Sequence, residues 1–222
     1  MPVLSERDRE AVRSKFSREL SGTVKMIVFT QEFECEYCAL NRELAEELER
    51  LADGRIELHL YDFQKDSDKA AKWNVDKIPA TILHGRREYG IRFFGIPSGY
   101  EFAALLEDIV DVSKGFSRLS AQTKERLKTI SKPVHIKVFV TPTCPYCPRA
   151  VRTAHQMALE NEAVTADMIE AIEFPHLAQR YEVMAVPKVV INDTVSFEGA
   201  LPEGHFLEHV LLALEGGVGS FR

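Results

Sequence analysis

All four cysteines of this chain fall in two Cys-x-x-Cys pairs, Cys35/Cys38 and Cys144/Cys147, and the residues around the two pairs repeat in the same order. An internal repeat constrains a fold more than local propensity does, because both copies must satisfy one plan. Each pair follows a run of β character, residues 23–30 and 134–141, and precedes a helical stretch. Pro79 comes 41 positions after Cys38, and Pro187 comes 40 after Cys147. A further match sets Phe94-Gly95-Ile96-Pro97 against Glu198-Gly199-Ala200-Leu201-Pro202. The chain of 222 residues is therefore expected to hold two tandem units, 1–117 and 118–222, with the boundary near Gly115.

Both units carry the same series of elements. Ser5 and Ser120 have the spacing of helix caps, opening helices that run to Leu20 and Ile130. Next come the strand, a helix bearing the cysteines (36–52 and 145–160), a second strand (55–61 and 163–169) and a short helix (67–73 and 174–181). Beyond each proline a strand pair turns at Gly85-Arg86-Arg87 or at Asn192-Asp193, and a last helix spans 98–112 or 203–214. A βαβ start followed by a hairpin and a helix specifies an α/β fold, a mixed sheet flanked by helices in each unit. Residues 216–220, rich in glycine, are expected to form a flexible tail.

Composition narrows the function. Lys+Arg 28 against Asp+Glu 34 gives a net charge of -6, which offers no field to a phosphate backbone, so nucleic acid is not an expected partner. No run approaches the roughly 18 apolar residues of a membrane span, and the first residues do not resemble a leader, so a cytoplasmic, soluble protein is expected. With no cysteine left for structural bridges, the pairs point to redox chemistry or to metal. A shared four-thiolate zinc site is the competing reading from another class, but 105 residues separate the pairs, against the roughly 15–20 of a zinc module. His205 and His209, spaced i, i+4, are read as surface histidines, and no metal is expected.

At the head of a helix, Cys-x-x-Cys sets two sulfurs close enough to bridge, and the helix field favours a thiolate on the first. Cys35 and Cys144 are thus the expected nucleophiles, with Cys38 and Cys147 as the resolving thiols. A strand, a Cys-x-x-Cys helix and a proline some forty residues later resemble the thioredoxin/glutaredoxin superfamily, and Cys144-Pro145-Tyr146-Cys147 resembles the glutaredoxin motif. Two such units in one chain, the first with Cys35-Glu36-Tyr37-Cys38, resemble the protein disulfide oxidoreductases of thermophilic bacteria and archaea. A total of nine Asn and Gln fits heat adaptation.

The resemblance implies that Pro79 and Pro187 are cis and face the cysteines, and that Ile78 and Val186 offer their backbone to an extended substrate. Tyr37 and Tyr146 are matched candidates for lining the substrate groove. It also implies a thiol:disulfide oxidoreductase that reduces, forms or isomerises protein disulfides and takes electrons from a thioredoxin reductase; no G-x-G-x-x-G follows a strand, so no cofactor of its own is expected, and a monomer is the default expectation. The alternative within the same chemistry is a dedicated electron carrier to a peroxiredoxin-like acceptor. The chain departs from thioredoxins where a buried Asp would take the resolving thiol's proton, since Phe29 and Val138 stand there; Asp62 and Glu170, each 17 residues before its proline, are the candidates instead. Phe197-Glu198-Gly199-Ala200 lacks the glutathione-binding pattern, which favours protein substrates. Glu32, Glu34 and Glu36 oppose a thiolate at Cys35, while Pro145 and Arg149 favour one at Cys144, so the C-terminal pair is expected to be the principal reactive site.

Overall fold

The computed structural model describes residues 3–216 and 219–221. The first half runs α1 (Glu6–Glu19), β1 (Val24–Thr30), α2 (Cys38–Leu51), β2 (Ile56–Asp62), α3 (Ser67–Lys72), β3 (Ala80–His84), β4 (Gly90–Phe94) and α4 (Glu101–Lys114). The second repeats it as α5 (Ala121–Lys128), β5 (Val134–Val140), α6 (Cys147–Glu160), β6 (Val164–Glu170), α7 (Pro175–Arg180), β7 (Lys188–Ile191), β8 (Val195–Glu198) and α8 (Glu203–Leu214). Ser5 and Ser120 cap their helices as expected, each hydroxyl accepting a backbone N–H three residues on, from Asp8 and from Thr123.

The strands form one mixed sheet in the order β2-β1-β3-β4-β6-β5-β7-β8-β9. The last member, β9 (Gly219–Phe221), pairs in parallel with β8. This corrects the expectation of a flexible tail: residues 219–221 extend the sheet, whereas Gly217 and Val218 lie outside the described residues. Within each half the first strand is parallel to the second and antiparallel to the third. Asn192 and Asp193 both take left-handed φ, 49° and 58°, which gives their hairpin a twist that matches its strands.

The halves meet along β4 and β6, parallel from Gly90↔Thr165 to Phe94↔Ile169. Gly90 permits this approach, because a Cβ there would sit 2.5 Å from the Val164 carbonyl oxygen. Across the joint Arg92 holds Asp167 by two bonds, Nε to Oδ1 at 2.6 Å and Nη2 to Oδ2 at 2.9 Å, and also donates to the carbonyls of Trp73 and Asn74. Alternation along the strands sorts the core. Met26, Val28, Val138 and Met168 face the layer containing α2, α4 and α6, while Ile27, Phe29, Phe139 and Ile169 pack with Ala70 of α3 and Phe174 at the start of α7.

Candidate active site

Each cysteine pair lies just beyond the C-terminal end of its half's first strand, β1 or β5, and each is closed as a disulfide with Cα atoms 5.4 Å (Cys35–Cys38) and 5.5 Å (Cys144–Cys147) apart. The helices start later than their sequence suggested, at Cys38 and Cys147, with Tyr37 and Tyr146 as N-caps that lack a side-chain cap. Pro145 therefore stands before α6 rather than in its first turn, and Pro148 occupies that turn. Without a polar cap side chain, sulfur fills the place at the second pair. The Cys147 N–H donates to Cys144 Sγ at 3.1 Å, which is how the helix terminus acts on the outer sulfur. Both inner cysteines are fully buried, Cys144 is 8% exposed and Cys35 is half-buried.

The Ile78–Pro79 and Val186–Pro187 bonds are cis. The carbonyls of Pro79 and Pro187 accept the N–H of Gly95 and Gly199, glycines in matching left-handed conformations with φ 90° and 88°. The Val186 carbonyl oxygen lies 3.7 Å from Cys144 Sγ, so the second half's proline loop faces its reactive sulfur. The matched tyrosines differ: Tyr146 is 69% exposed, whereas Tyr37 is partly buried against the core. Arg149 donates to the Ala200 carbonyl, tying α6 to the loop before α8.

The two carboxylates singled out for proton transfer have unlike surroundings. Asp62 accepts the N–H groups of Lys65 and Gln64, and these bonds hold its pKa below the usual carboxylate value; its carboxylate serves the turn after β2. Glu170 is 3% exposed, accepts the Glu173 N–H through Oε2, and has its pKa raised by burial, against the opposing pull of the Glu173 and Ile172 backbone N–H groups. Glu173 is held by the Ile96 N–H at 2.8 Å, and burial, with Glu170 and Glu36 nearby, pushes its pKa up to about 7. The Tyr37 hydroxyl is shifted upward chiefly by Glu36, with burial, Glu173 and Glu170 adding to it. Acids of the second half thus reach the first half's cysteine pair.

One further carboxylate escaped the sequence reading. Tyr100 N–H donates to the Pro142 carbonyl at 3.0 Å, Asp108 meets His155 Nδ1 at 2.7 Å, and Ser117 N–H donates to Glu160 at 2.8 Å. This register makes α4 and α6 run side by side in the same direction, so Glu101, the first residue of α4, lies at the end of α6 that begins with Cys147. Glu101 is 1% exposed, neither carboxylate oxygen has a hydrogen-bond partner among the described residues, and burial, reinforced by Asp108, raises its pKa to about 8. Its counterpart Glu203 opens α8 and accepts from Ser120 and Thr123. In sequence both look like solvated first-turn acids; helix packing alone separates them.

Four inter-strand steps separate β1 from β5, about 19 Å at the ordinary sheet spacing, so the two pairs cannot share one zinc ion. Among the described residues there is no cluster of three or more His, Cys, Asp or Glu suited to a metal, and no helix long and apolar enough to cross a membrane. A groove of about 670 Å³ on the α3/α7 face is lined by Arg92, His135, Lys137, Asp167 and Arg180, and no cysteine borders it.

Residues 134–212 match the thioredoxin domain family. The fold superposes on a protein disulfide oxidoreductase from Aeropyrum pernix with a TM-score of 0.90 at 35% identity, covering 97% of this chain and 95% of that one. The NTD_N/C domain of the alkylhydroperoxide reductase AhpF of Enterococcus faecalis gives 0.85 at 25% identity, over 93% of this chain and 99% of that one. In sequence, the chain is 29% identical over 152 residues, 68% of its length, to an alkyl hydroperoxide reductase of Staphylococcus epidermidis, and 28% identical over 128 residues, 58% of its length, to an NADH dehydrogenase of Bacillus subtilis. It spans 28% and 24% of those proteins, about a quarter of their length. With two thioredoxin-like folds, two Cys-x-x-Cys disulfides and an end-to-end match at this identity, the chain belongs to the protein disulfide oxidoreductase family.

Proposed function

We propose that the protein is a thiol:disulfide oxidoreductase that reduces, forms or isomerises disulfides of protein substrates by dithiol exchange at both pairs. One observation carries this reading: the outer sulfur of the second pair, Cys144 Sγ, takes the Cys147 N–H while facing the cis-proline loop. In the reduced protein Cys35 or Cys144 attacks a substrate disulfide as thiolate, one substrate sulfur leaves, and Cys38 or Cys147 then attacks the mixed disulfide and releases the second. The backbone of Ile78 and Val186, set by Pro79 and Pro187, pairs with the substrate strand, and Tyr37 and Tyr146 border it. At the C-terminal pair the proton of Cys147 passes to a buried carboxylate, Glu101 or Glu170, since Asp62 belongs to the other half and serves its turn.

The working units are 1–117 and 118–222, the protein acts as a monomer in a reducing, cytoplasmic setting, and its electrons come from a flavin thioredoxin reductase. The likeness to AhpF domains favours a second reading, a dedicated electron carrier to a peroxiredoxin-like acceptor. Thiol counting by alkylation and mass spectrometry across a dithiothreitol redox series tests the exchange. Two separate two-electron steps are expected, with Cys35→Ser and Cys144→Ser each removing one; a single pair that titrates, or none, refutes it. Turnover on several unrelated disulfide proteins separates the general enzyme from the dedicated carrier.

A further inference from the structure

The two cysteine pairs present unlike surfaces. Before the first pair the loop exposes Glu32, Phe33 and Glu34, and Glu36 is exposed inside it; Phe33 is 74% exposed. The Gln31 side-chain amide donates to the Phe33 carbonyl at 2.6 Å and Glu34 takes a left-handed φ of 54°, a local geometry that leaves the ring facing outward. Leu40, two residues beyond Cys38, is 41% exposed. None of these three carboxylates forms an ion pair among the described residues, and the nearby Lys77 is engaged by Asp76 at 2.5 Å and by the Phe94 ring. Glu170 and Glu173 add to the field felt at Tyr37.

The second pair has no such charge. The run Thr141-Pro142-Thr143-Cys144-Pro145-Tyr146-Cys147 contains no ionisable group besides its cysteines and Tyr146. Large exposed apolar side chains stand inside it or just before its proline loop: Tyr146 at 69% and Met184 at 88%.

We propose that the first pair is the docking site for a redox protein whose reactive dithiol lies beside an apolar hollow rimmed by lysine and arginine, Phe33 and Leu40 entering the hollow and Glu32, Glu34 and Glu36 meeting the rim. The inference rests on the exchange reading and assigns that pair its partner. Exposed apolar side chains interleaved in sequence with exposed carboxylates that form no ion pair among the described residues match a basic rim, because opposite potentials speed the encounter and like charges exclude the wrong partner. In the step itself a partner thiolate attacks Cys35 Sγ, the Cys35–Cys38 bond breaks, and Cys38 leaves as thiolate. The partner's second thiolate then attacks its own sulfur in the mixed disulfide and frees Cys35. The partner loses two electrons and becomes a disulfide, and the protein gains two electrons; two protons shed by the partner thiols end on Cys35 and Cys38 or in solvent.

The test uses the full oxidised chain and two synthetic dithiol peptides, both with a leucine beside a Cys-x-x-Cys core, one flanked by lysines and the other by glutamates. Reduction of each pair is followed by alkylation and mass spectrometry at low and high salt. The lysine peptide is expected to reduce Cys35–Cys38 about tenfold faster than the glutamate peptide at low salt, with the ratio falling as salt screens the charges. Cys144–Cys147 is expected to differ by less than about threefold. In the Glu32→Lys/Glu34→Lys double variant the preference at the first pair should vanish or invert, while the second pair behaves as before. Equal rates at the first pair, or a preference that survives the double variant, overturn the docking assignment and leave the exchange activity standing. If neither pair reacts with either peptide, the exchange activity fails and the assignment with it.

Discussion

Arg92 on β4 and Asp167 on β6 form a two-point ion pair across the parallel joint that makes two thioredoxin-like folds share one sheet. Asp167 is 1% exposed and also meets His135 Nε2 at 2.6 Å. Burial would raise its pKa, but the Arg92 charge and the His135 contact hold it well below the ordinary carboxylate range. Asp167→Ala should destabilise the protein by about 3 kcal/mol or more, because it leaves a buried guanidinium without its anion. Arg92→Met combined with Asp167→Leu should recover most of that loss. Urea melts of the three variants check both statements. For the wild type, this carboxylate's contribution is full above its unfolded value near 4 and is lost only as acid drives it through the lower folded value.

Glu101 has the opposite sign. Its pKa rises from about 4.5 unfolded to about 8 folded, so the native state holds a proton that the unfolded chain has released, and stability falls as pH rises between these values. Glu101→Gln keeps the shape and removes the charge. The variant should gain stability at pH 7, by roughly 3 kcal/mol at most, and should lose the pH slope between pH 5 and 8. If Glu101 takes the Cys147 proton, the variant's rate of mixed-disulfide resolution should also lose one ionisation from its pH profile, measured by stopped flow. A merely structural side chain would leave that profile unchanged.

The outer sulfurs should differ in acidity. Cys144 Sγ accepts the Cys147 N–H in an uncharged loop, while Cys35 is flanked in sequence by Glu32, Glu34 and Glu36. Iodoacetamide alkylation of the reduced protein against pH should place the Cys144 pKa about one unit or more below that of Cys35.

Glu173 couples the halves. Burial, with Glu170 and Glu36 nearby, sets it to ionise at about 7, within the electrostatic reach of Glu36 and Tyr37 between the first pair's cysteines. Glu173→Gln, which retains an acceptor for the Ile96 N–H, should lower the Cys35 pKa by roughly half a unit, as removal of a nearby like charge does. At pH 5.5, where Glu173 is already neutral, Cys35 alkylation rates should coincide in the two proteins.

Much of this was legible in the chain itself. The repeated strand, Cys-x-x-Cys, helix and proline spacing determined two α/β units and named the four cysteines and both prolines, because these are local chemical patterns copied twice. Ser5 and Ser120 marked true caps, since a hydroxyl three residues before an N–H is itself a sequence relation. The single sheet was not legible: β4 and β6 are buried on both faces along nearly their whole length, which marks them as interior strands but does not tell that their edges pair with each other. Nor did spacing show that the glycine-rich end returns as β9. The same limit applies at the site. Asp62 and Glu170 occupy matching positions, as do Glu101 and Glu203, and position along the chain assigns each pair one meaning. The tertiary structure separated them, because a carboxylate's role depends on the solvent and donors it loses when the halves pack, and those come from elements far away in the chain.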